Sequence, residues 1–354
     1  MYTKSDLHTA PVAWSSLQFA YQPCDASYVA RFRNGAWEPG ELTSNHTLTL
    51  SECAGIFHYC QEVFEGLKAY TTKDNKIVCF RPDQNAERMS TSAKRLCMPS
   101  YPVDAFVQGV EQVVRANARW IPPYGSGATL YIRPFMVATS NVIGVKPADE
   151  YEFRILVTPV GPYYKGGLKP VAVRIPDYDR AAPHGTGNIK AGLNYAMSMY
   201  PSQLAHSEGF ADNMYLDPET HTYVEESGGA NFLFIDTDGT LVVPVSATDS
   251  ILPSITRRSL VEIARTCLSM NVVQRRVSFE EVRNGAFTEC GMCGTAAVIS
   301  PVGEVVDGSD HIQFGAGLTQ PGPKLSALRQ MLVDIQQGDA QDVFGWLHEI
   351  SFDD

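Results

Sequence analysis

Short runs of β-branched and aromatic residues are interleaved along this chain with stretches whose apolar residues recur at helical spacing, and that interleaving restricts the fold to mixed layers of helix and sheet. Strand character is plain at Val63-Phe64, Ile77 to Phe80, Thr129 to Ala138 and Tyr151 to Val160. Between them, Pro82 to Cys97 carries Ala86, Met89, Ala93 and Leu96 at helical spacing, and Val103 to Arg119 carries Phe106, Val110, Val113 and Val114. Tyr28 to Arg33, Asn34-Gly35 and Ala36-Trp37 read as a hairpin, because Asn-Gly accepts the positive φ angles of a tight turn. A second series follows, with strands at Val171 to Ile175, Asn213 to Leu216, Asn231 to Ile235 and Leu241 to Val245. Its helices are expected at Ala191 to His206, Ile255 to Cys267, Lys324 to Gln336 and Gln341 to Glu349.

The glycines of Gly161-Pro162-Tyr163-Tyr164-Lys165-Gly166-Gly167 weaken helix and strand alike, so this stretch fits a domain junction. The expected organisation is a two-domain chain of α/β and α+β class: a smaller N-terminal α/β domain at 1–160, a loop at 161–170 and a larger C-terminal domain at 171–354. No internal repeat points to a solenoid.

A formal net charge of -11 disfavours nucleic acid and anionic membrane as partners, while leaving room for a local cationic pocket. No apolar run reaches 18 residues, and Lys4, Asp6, His8, Pro11, Pro23 and Asp25 interrupt any signal-peptide pattern, so a cytoplasmic location is expected. The eight cysteines are too sparse for a disulfide scaffold and form no tight Cys/His cluster, so no metal is expected.

Four separated segments carry chemistry. Gly185-Thr186-Gly187-Asn188-Ile189-Lys190-Ala191-Gly192 presents one lysine after a small-residue loop, where a compact ligand meets little obstruction. Glu226, in Glu225-Glu226-Ser227-Gly228-Gly229, is a carboxylate able to keep a pyridine nitrogen protonated. Leu252-Pro253-Ser254-Ile255-Thr256-Arg257 reads as a helix start, whose N–H groups and dipole favour a phosphate. Cys293-Gly294-Thr295-Ala296-Ala297 is small enough for backbone amides to approach an anion closely. Each has an ordinary reading as a solvated side chain, a cap or a turn; their joint occurrence in this order favours the functional one.

Together with Asn34-Gly35, Phe64-Glu65-Gly66 and Tyr131-Ile132-Arg133-Pro134, these segments resemble the fold-type IV pyridoxal 5'-phosphate enzymes, the D-amino acid aminotransferase-like fold, and most closely the branched-chain amino acid aminotransferases. The resemblance covers nearly the whole chain. It implies an active site between the domains, with Lys190 bound to pyridoxal 5'-phosphate as an imine and then shuttling a proton, Glu226 on the pyridine nitrogen and Tyr195 on the cofactor's O3'. Arg88, Ile255, Thr256 and Thr295 are implied phosphate contacts. Phe64, Tyr59, Tyr131 and the Gly294-Thr295-Ala296 turn are implied to form the apolar substrate pocket, and Arg133 to meet the distal carboxylate of glutamate. Related enzymes contribute the Tyr59 loop across a homodimer interface, so a homodimer is implied here.

The activity implied is reversible transfer of the amino group of L-leucine, L-isoleucine or L-valine to 2-oxoglutarate. Alternatives are D-amino acid transamination, aminodeoxychorismate lyase chemistry, or a protein that binds the cofactor without turnover. Cys290 and Cys293 form a Cys-x-x-Cys before the Gly-Thr-Ala turn; the redox pair of some relatives begins after it, where this chain has Ala297-Val298-Ile299-Ser300, so that switch is not carried over.

Overall fold

In the computed structural model, the runs Thr129–Ala138 and Tyr151–Val160 pair antiparallel along their whole length, from Thr129 opposite Val160 to Ala138 opposite Tyr151. The structure describes residues 3–161 and 168–352. Two compact units emerge: Met1–Tyr163 with Lys190–Gly192 and Asp334–Asp354, and Tyr164–Ile189 with Leu193–Val333. The sequence alone suggests one cut at 161–170, of which residues 162–167 lie outside the described residues; along the chain the units instead alternate, because two later segments join the first.

The first unit contains β1 (Ser27–Arg33), β2 (Ala36–Trp37), β3 (Glu41–Thr43), β4 (Glu62–Phe64), β5 (Leu67–Thr71), β6 (Ile77–Phe80), β7 (Thr129–Ala138) and β8 (Tyr151–Val160). Its helices are α1 (Gly55–Tyr59), α2 (Pro82–Arg95) and α3 (Val103–Ala116). The expected hairpin forms, with Arg33 opposite Ala36 and both Asn34 and Gly35 at positive φ. Helix α3 ends at Ala116, short of Arg119, where Asn117 turns its side chain back onto the carbonyls of Val113 and Ala26. Phe153 of β8 anchors the core of this unit: it stacks on Tyr101 at 4.1 Å and meets Phe106 of α3 at 5.8 Å.

The second unit contains β9 (Val171–Arg174), β10 (Asp212–Asn213), β11 (Asn231–Asp236), β12 (Leu241–Pro244), β13 (Val272–Arg275), β14 (Phe287–Gly294), β15 (Val298–Asp307) and β16 (Asp310–Gln313). Among the described residues these form an eight-stranded sheet in the order β10-β9-β15-β14-β11-β12-β13, with β16 on β15. Helices α4 (Gly192–Ser207), α5 (Ile255–Thr266), α6 (Phe279–Arg283) and α7 (Pro323–Gln337) follow in chain order. Phe232, Phe234, Phe287 and Phe314 gather in its core with Val242 and Val305.

The last strand, β17 (Leu347–Ile350), returns to the first unit and pairs antiparallel with β6, completing the order β17-β6-β5-β7-β8-β1-β2, with β3 on β1 and β4 on β7. This corrects the helix expected at Gln341 to Glu349. Asp342 accepts from the amides of Phe344 and Leu347, Gly345 takes φ 68°, and Phe344 stacks on Trp346 at 3.9 Å. Trp346 in turn lies against Phe80 and under the Arg81 guanidinium. A short helix interrupted by glycine loses about 1 kcal/mol at that residue alone, while the open edge of β6 supplies ladder hydrogen bonds.

Candidate active site

In the first unit, the lysine segment is held by its backbone. The Lys190 N–H donates to Ser92 Oγ of α2 at 3.0 Å, and the Lys190 carbonyl accepts from the Phe64 N–H at 3.1 Å. Two residues on, the Gly192 N–H donates to Glu62 Oε2 at 2.7 Å. A Cβ at Gly192 would stand 2.6 Å from that oxygen, so the position needs glycine for the carboxylate to close on the amide. Burial pushes the Glu62 carboxyl above the usual carboxylate range, against the opposing pull of the Gly192 N–H, Arg133 and Lys190. Both sides of the Lys190 peptide are clamped, and its Nζ lies 4.7 Å from the centre of the Phe64 ring.

Arg133 shares that ring, its guanidinium carbon 4.8 Å from the Phe64 centroid and 5.2 Å from that of Tyr131. Its Nη2 donates to the Tyr131 hydroxyl at 2.8 Å, while its Nε is buried with no partner among the described residues. Gly66 makes room for this arrangement, since a Cβ there would collide with the Tyr131 hydroxyl. Phe64, Tyr131, Arg133 and Lys190 therefore lie together in the first unit. Tyr59, which the resemblance assigns to a loop reaching a partner subunit, packs on His58 within its own chain, and its hydroxyl donates to the Ile143 carbonyl.

Arg88 lies one helical turn before Ser92 on α2, and both are buried. Its Nε and Nη2 fork onto Glu65 Oε1 and Oε2 at 2.7 and 2.8 Å, and Asn85 and the Gly66 N–H complete the shell of that carboxylate. Glu65 is fully buried, so the pair forms a fixed charged element in an apolar setting. The role of Glu65 was not legible in the sequence, although Phe64-Glu65-Gly66 was singled out.

In the second unit, Glu226 is buried and its two oxygens are used unequally. Oε1 takes Nη2 of Arg180 at 2.6 Å and the Leu252 N–H at 2.8 Å; among the described residues Oε2 takes only Asn231 Nδ2, at 2.7 Å. Burial drives its pKa up, and Arg180 and the Leu252 amide work against that rise. The bond to Leu252 ties Glu226 to the turn that opens α5. There Ser254 caps the helix, its Oγ accepting from the Arg257 N–H at 3.2 Å. Among the described residues, the amides of Ile255 and Thr256 donate to no protein acceptor, and both residues are buried.

Thr295 and Ala296 occupy the tip of the β14–β15 hairpin, where Gly294 pairs with Val298. Val298 holds φ 66°, an unusual conformation for a β-branched residue. The hairpin adjoins Glu226 through Asn231, which pairs with Cys293 across the ladder. Tyr195, half-buried on α4, places its ring edge 4.0 Å from where a Cβ of Gly229 would stand. Arg180 has no place in any motif of the sequence; only the fold identifies it.

Cys290 and Cys293, three residues apart on β14, project to opposite faces. Both are buried free thiols, and burial pushes that of Cys293 up to about 12, so neither is a ready thiolate. Among the described residues there is no His, Cys, Asp or Glu group able to hold a metal, and no helix long and apolar enough to cross a membrane.

Comparison with known proteins gives this arrangement its context. The sequence profile of the class IV amino-transferases matches residues 62–305. The branched-chain-amino-acid aminotransferase of Haemophilus influenzae is 45% identical over 342 residues, covering 95% of this chain and 98% of that protein. The branched-chain amino acid aminotransferase of Escherichia coli superposes with a TM-score of 0.77 at 28% identity, over 93% of this chain and all of that one. The branched-chain amino acid aminotransferase of Thermobaculum terrenum, solved in its PLP form, shares the fold with a TM-score of 0.76 at 24% identity, over 94% of this chain and all of that one. By profile and by near full-length likeness, this chain belongs to the class IV aminotransferases and, within them, to the branched-chain amino acid aminotransferase family.

Proposed function

We propose that the chain transfers amino groups reversibly between L-leucine, L-isoleucine or L-valine and 2-oxoglutarate, with pyridoxal 5'-phosphate as its cofactor. The observation that carries this reading is the cluster of Phe64, Tyr131 and Arg133 beside Lys190 Nζ. Aromatic faces suit a branched aliphatic side chain, and the unpartnered Arg133 Nε suits the second carboxylate of glutamate.

The residues present fit the cofactor. Buried helix-start amides at Ile255 and Thr256 without a protein acceptor suit a phosphate, assisted by Thr295 and by Arg88. Glu226, a buried carboxylate with one oxygen carrying a single donor, suits a protonated ring nitrogen, and Tyr195 the phenolic oxygen. Bound there, the cofactor supplies an aldehyde for Lys190 and an electron sink for the substrate Cα.

The chain's own contribution is positional and acid–base. Lys190 Nζ moves the Cα proton, swinging on a stem rooted by Ser92 and Phe64. Glu62 fixes the following turn through Gly192. Arg133 and Tyr131 orient the acidic substrate, and Phe64 keeps water from the amine. We further propose a homodimer in which the Tyr59 segment reaches across the interface; the exposed Phe57, Ile143 and Val145 around it support an apolar contact.

A spectral titration of the purified protein with L- and D-amino acids tests the reading. The branched L-amino acids and L-glutamate should bleach the visible cofactor band and release 2-oxo acids, and Lys190→Ala should abolish both. Turnover by Lys190→Ala, or a response to D-amino acids alone, refutes it.

A further inference from the structure

A carboxylate removed from water becomes neutral unless a positive charge or several donors hold it ionised. Glu226 is 3% exposed and Arg180 only 7%, and their contact at 2.6 Å is the strongest opposition to burial inside the second unit, with the Leu252 amide and the more distant Arg257 pulling the same way and Glu225 against them. The contact is one-sided. Arg180 and the Leu252 amide occupy Oε1, which leaves Oε2 with Asn231 as its single donor among the described residues. A base that approaches Oε2 therefore stands farther from Arg180 than the carboxylate itself does.

We propose that Arg180 is a positioning residue for the cofactor, whose fixed charge on the far oxygen of Glu226 keeps that carboxylate ionised and sends the proton it shares with the pyridine nitrogen onto the nitrogen. The inference rests on the reading that Glu226 serves the cofactor ring. Its physics is a comparison of two neutral arrangements of one proton: carboxylate with pyridinium, or carboxylic acid with pyridine. Coulomb energy falls with distance, so Arg180 stabilises the adjacent carboxylate more than it repels the more distant pyridinium, and the charge-separated arrangement wins. No atom is gained or lost; only the position of the proton changes.

Arg180 has a second set of contacts that a purely structural role would use. Its Nη2 also donates to the carbonyls of Gly187, at 2.9 Å, and of Ser250. These bonds tie the loop three residues before Lys190 to the turn before α5. A test must therefore separate charge from loop anchoring.

The experiment loads the protein with pyridoxal 5'-phosphate labelled with 15N in the ring and reads the nitrogen resonance at neutral pH. The native protein should show the protonated position, and Glu226→Gln the unprotonated one; a protonated signal in Glu226→Gln would overturn the parent reading of Glu226. Given that control, Arg180→Met and Arg180→Gln should move the resonance to the unprotonated position while Arg180→Lys retains the protonated one. Should Arg180→Met fail to fold, Arg180→Gln, which keeps amide donors for the loop carbonyls, still decides. Retention of the protonated signal in a neutral variant, or its loss in Arg180→Lys, overturns the proposal in favour of loop anchoring.

Discussion

Replacing Glu65 by Ala leaves the Arg88 guanidinium buried without the carboxylate that takes its Nε and Nη2, and also strips the acceptor from Asn85 Nδ2 and the Gly66 amide. Breaking a buried ion pair from one side costs about 3–5 kcal/mol. At roughly 2–4 °C per kcal/mol for a unit of this size, the expected fall in Tm is about 6–20 °C. Calorimetry on protein free of added cofactor measures it, so that ligand linkage does not mask the change. The double variant Glu65→Leu with Arg88→Met removes both charges and should lose much less than the two single losses combined, since no ion is then stranded. A drop of less than about 3 °C in Glu65→Ala, or strict additivity in the double variant, would refute the view that this pair is a dry, mutually dependent element.

Asp217 is held below its ordinary carboxylate value of 3.8: burial acts to raise it, but the amides of Tyr223, Thr222 and Thr220 and the Thr220 hydroxyl prevail. A depressed folded-state pKa adds stability above the unfolded value that disappears as pH falls through the folded one, so Asp217→Asn should cost about 1–2 kcal/mol at pH 7. Urea titrations should show that gap narrowing below pH 3.8. Cys97 closes α2 at φ 56°, its amide donating to the Lys94 carbonyl and that of Met98 to Ala93. Cys97→Gly relieves a left-handed side-chain penalty and should raise stability by about 1 kcal/mol, visible as a higher urea midpoint. Arg133→Met removes the charged donor proposed for the distal carboxylate; its KM for 2-oxoglutarate should rise about 10- to 150-fold, with the leucine half-reaction changing far less in stopped-flow traces.

Long, strongly patterned elements were legible from residues alone. The runs that became β7 and β8 have the expected bounds, Asn34-Gly35 turns the first hairpin, and Ser254 caps α5 where the apolar stripe begins. Lys190, Phe64, Tyr131 and Arg133 stand out in the sequence and lie together in the structure. The segment Gln341 to Glu349 reads as a helix in isolation yet forms β17, because its outcome depends on the open edge of β6 and on the ring of Phe80, both far earlier in the chain; Gly345 is the local sign against a helix.

The amino-acid order by itself determined the alternation of strands and helices, the turn and cap chemistry, and which reactive side chains are available, since each depends on neighbours a few residues away. Tertiary structure decided the rest: that Lys190–Gly192 and Asp334–Asp354 join the first unit, that Glu65 is the partner of Arg88, and that Arg180 stands against Glu226. Burial and charge pairing are properties of space rather than of sequence separation. A lone arginine thus acquires its meaning only when the fold removes it from water and sets a carboxylate 2.6 Å away.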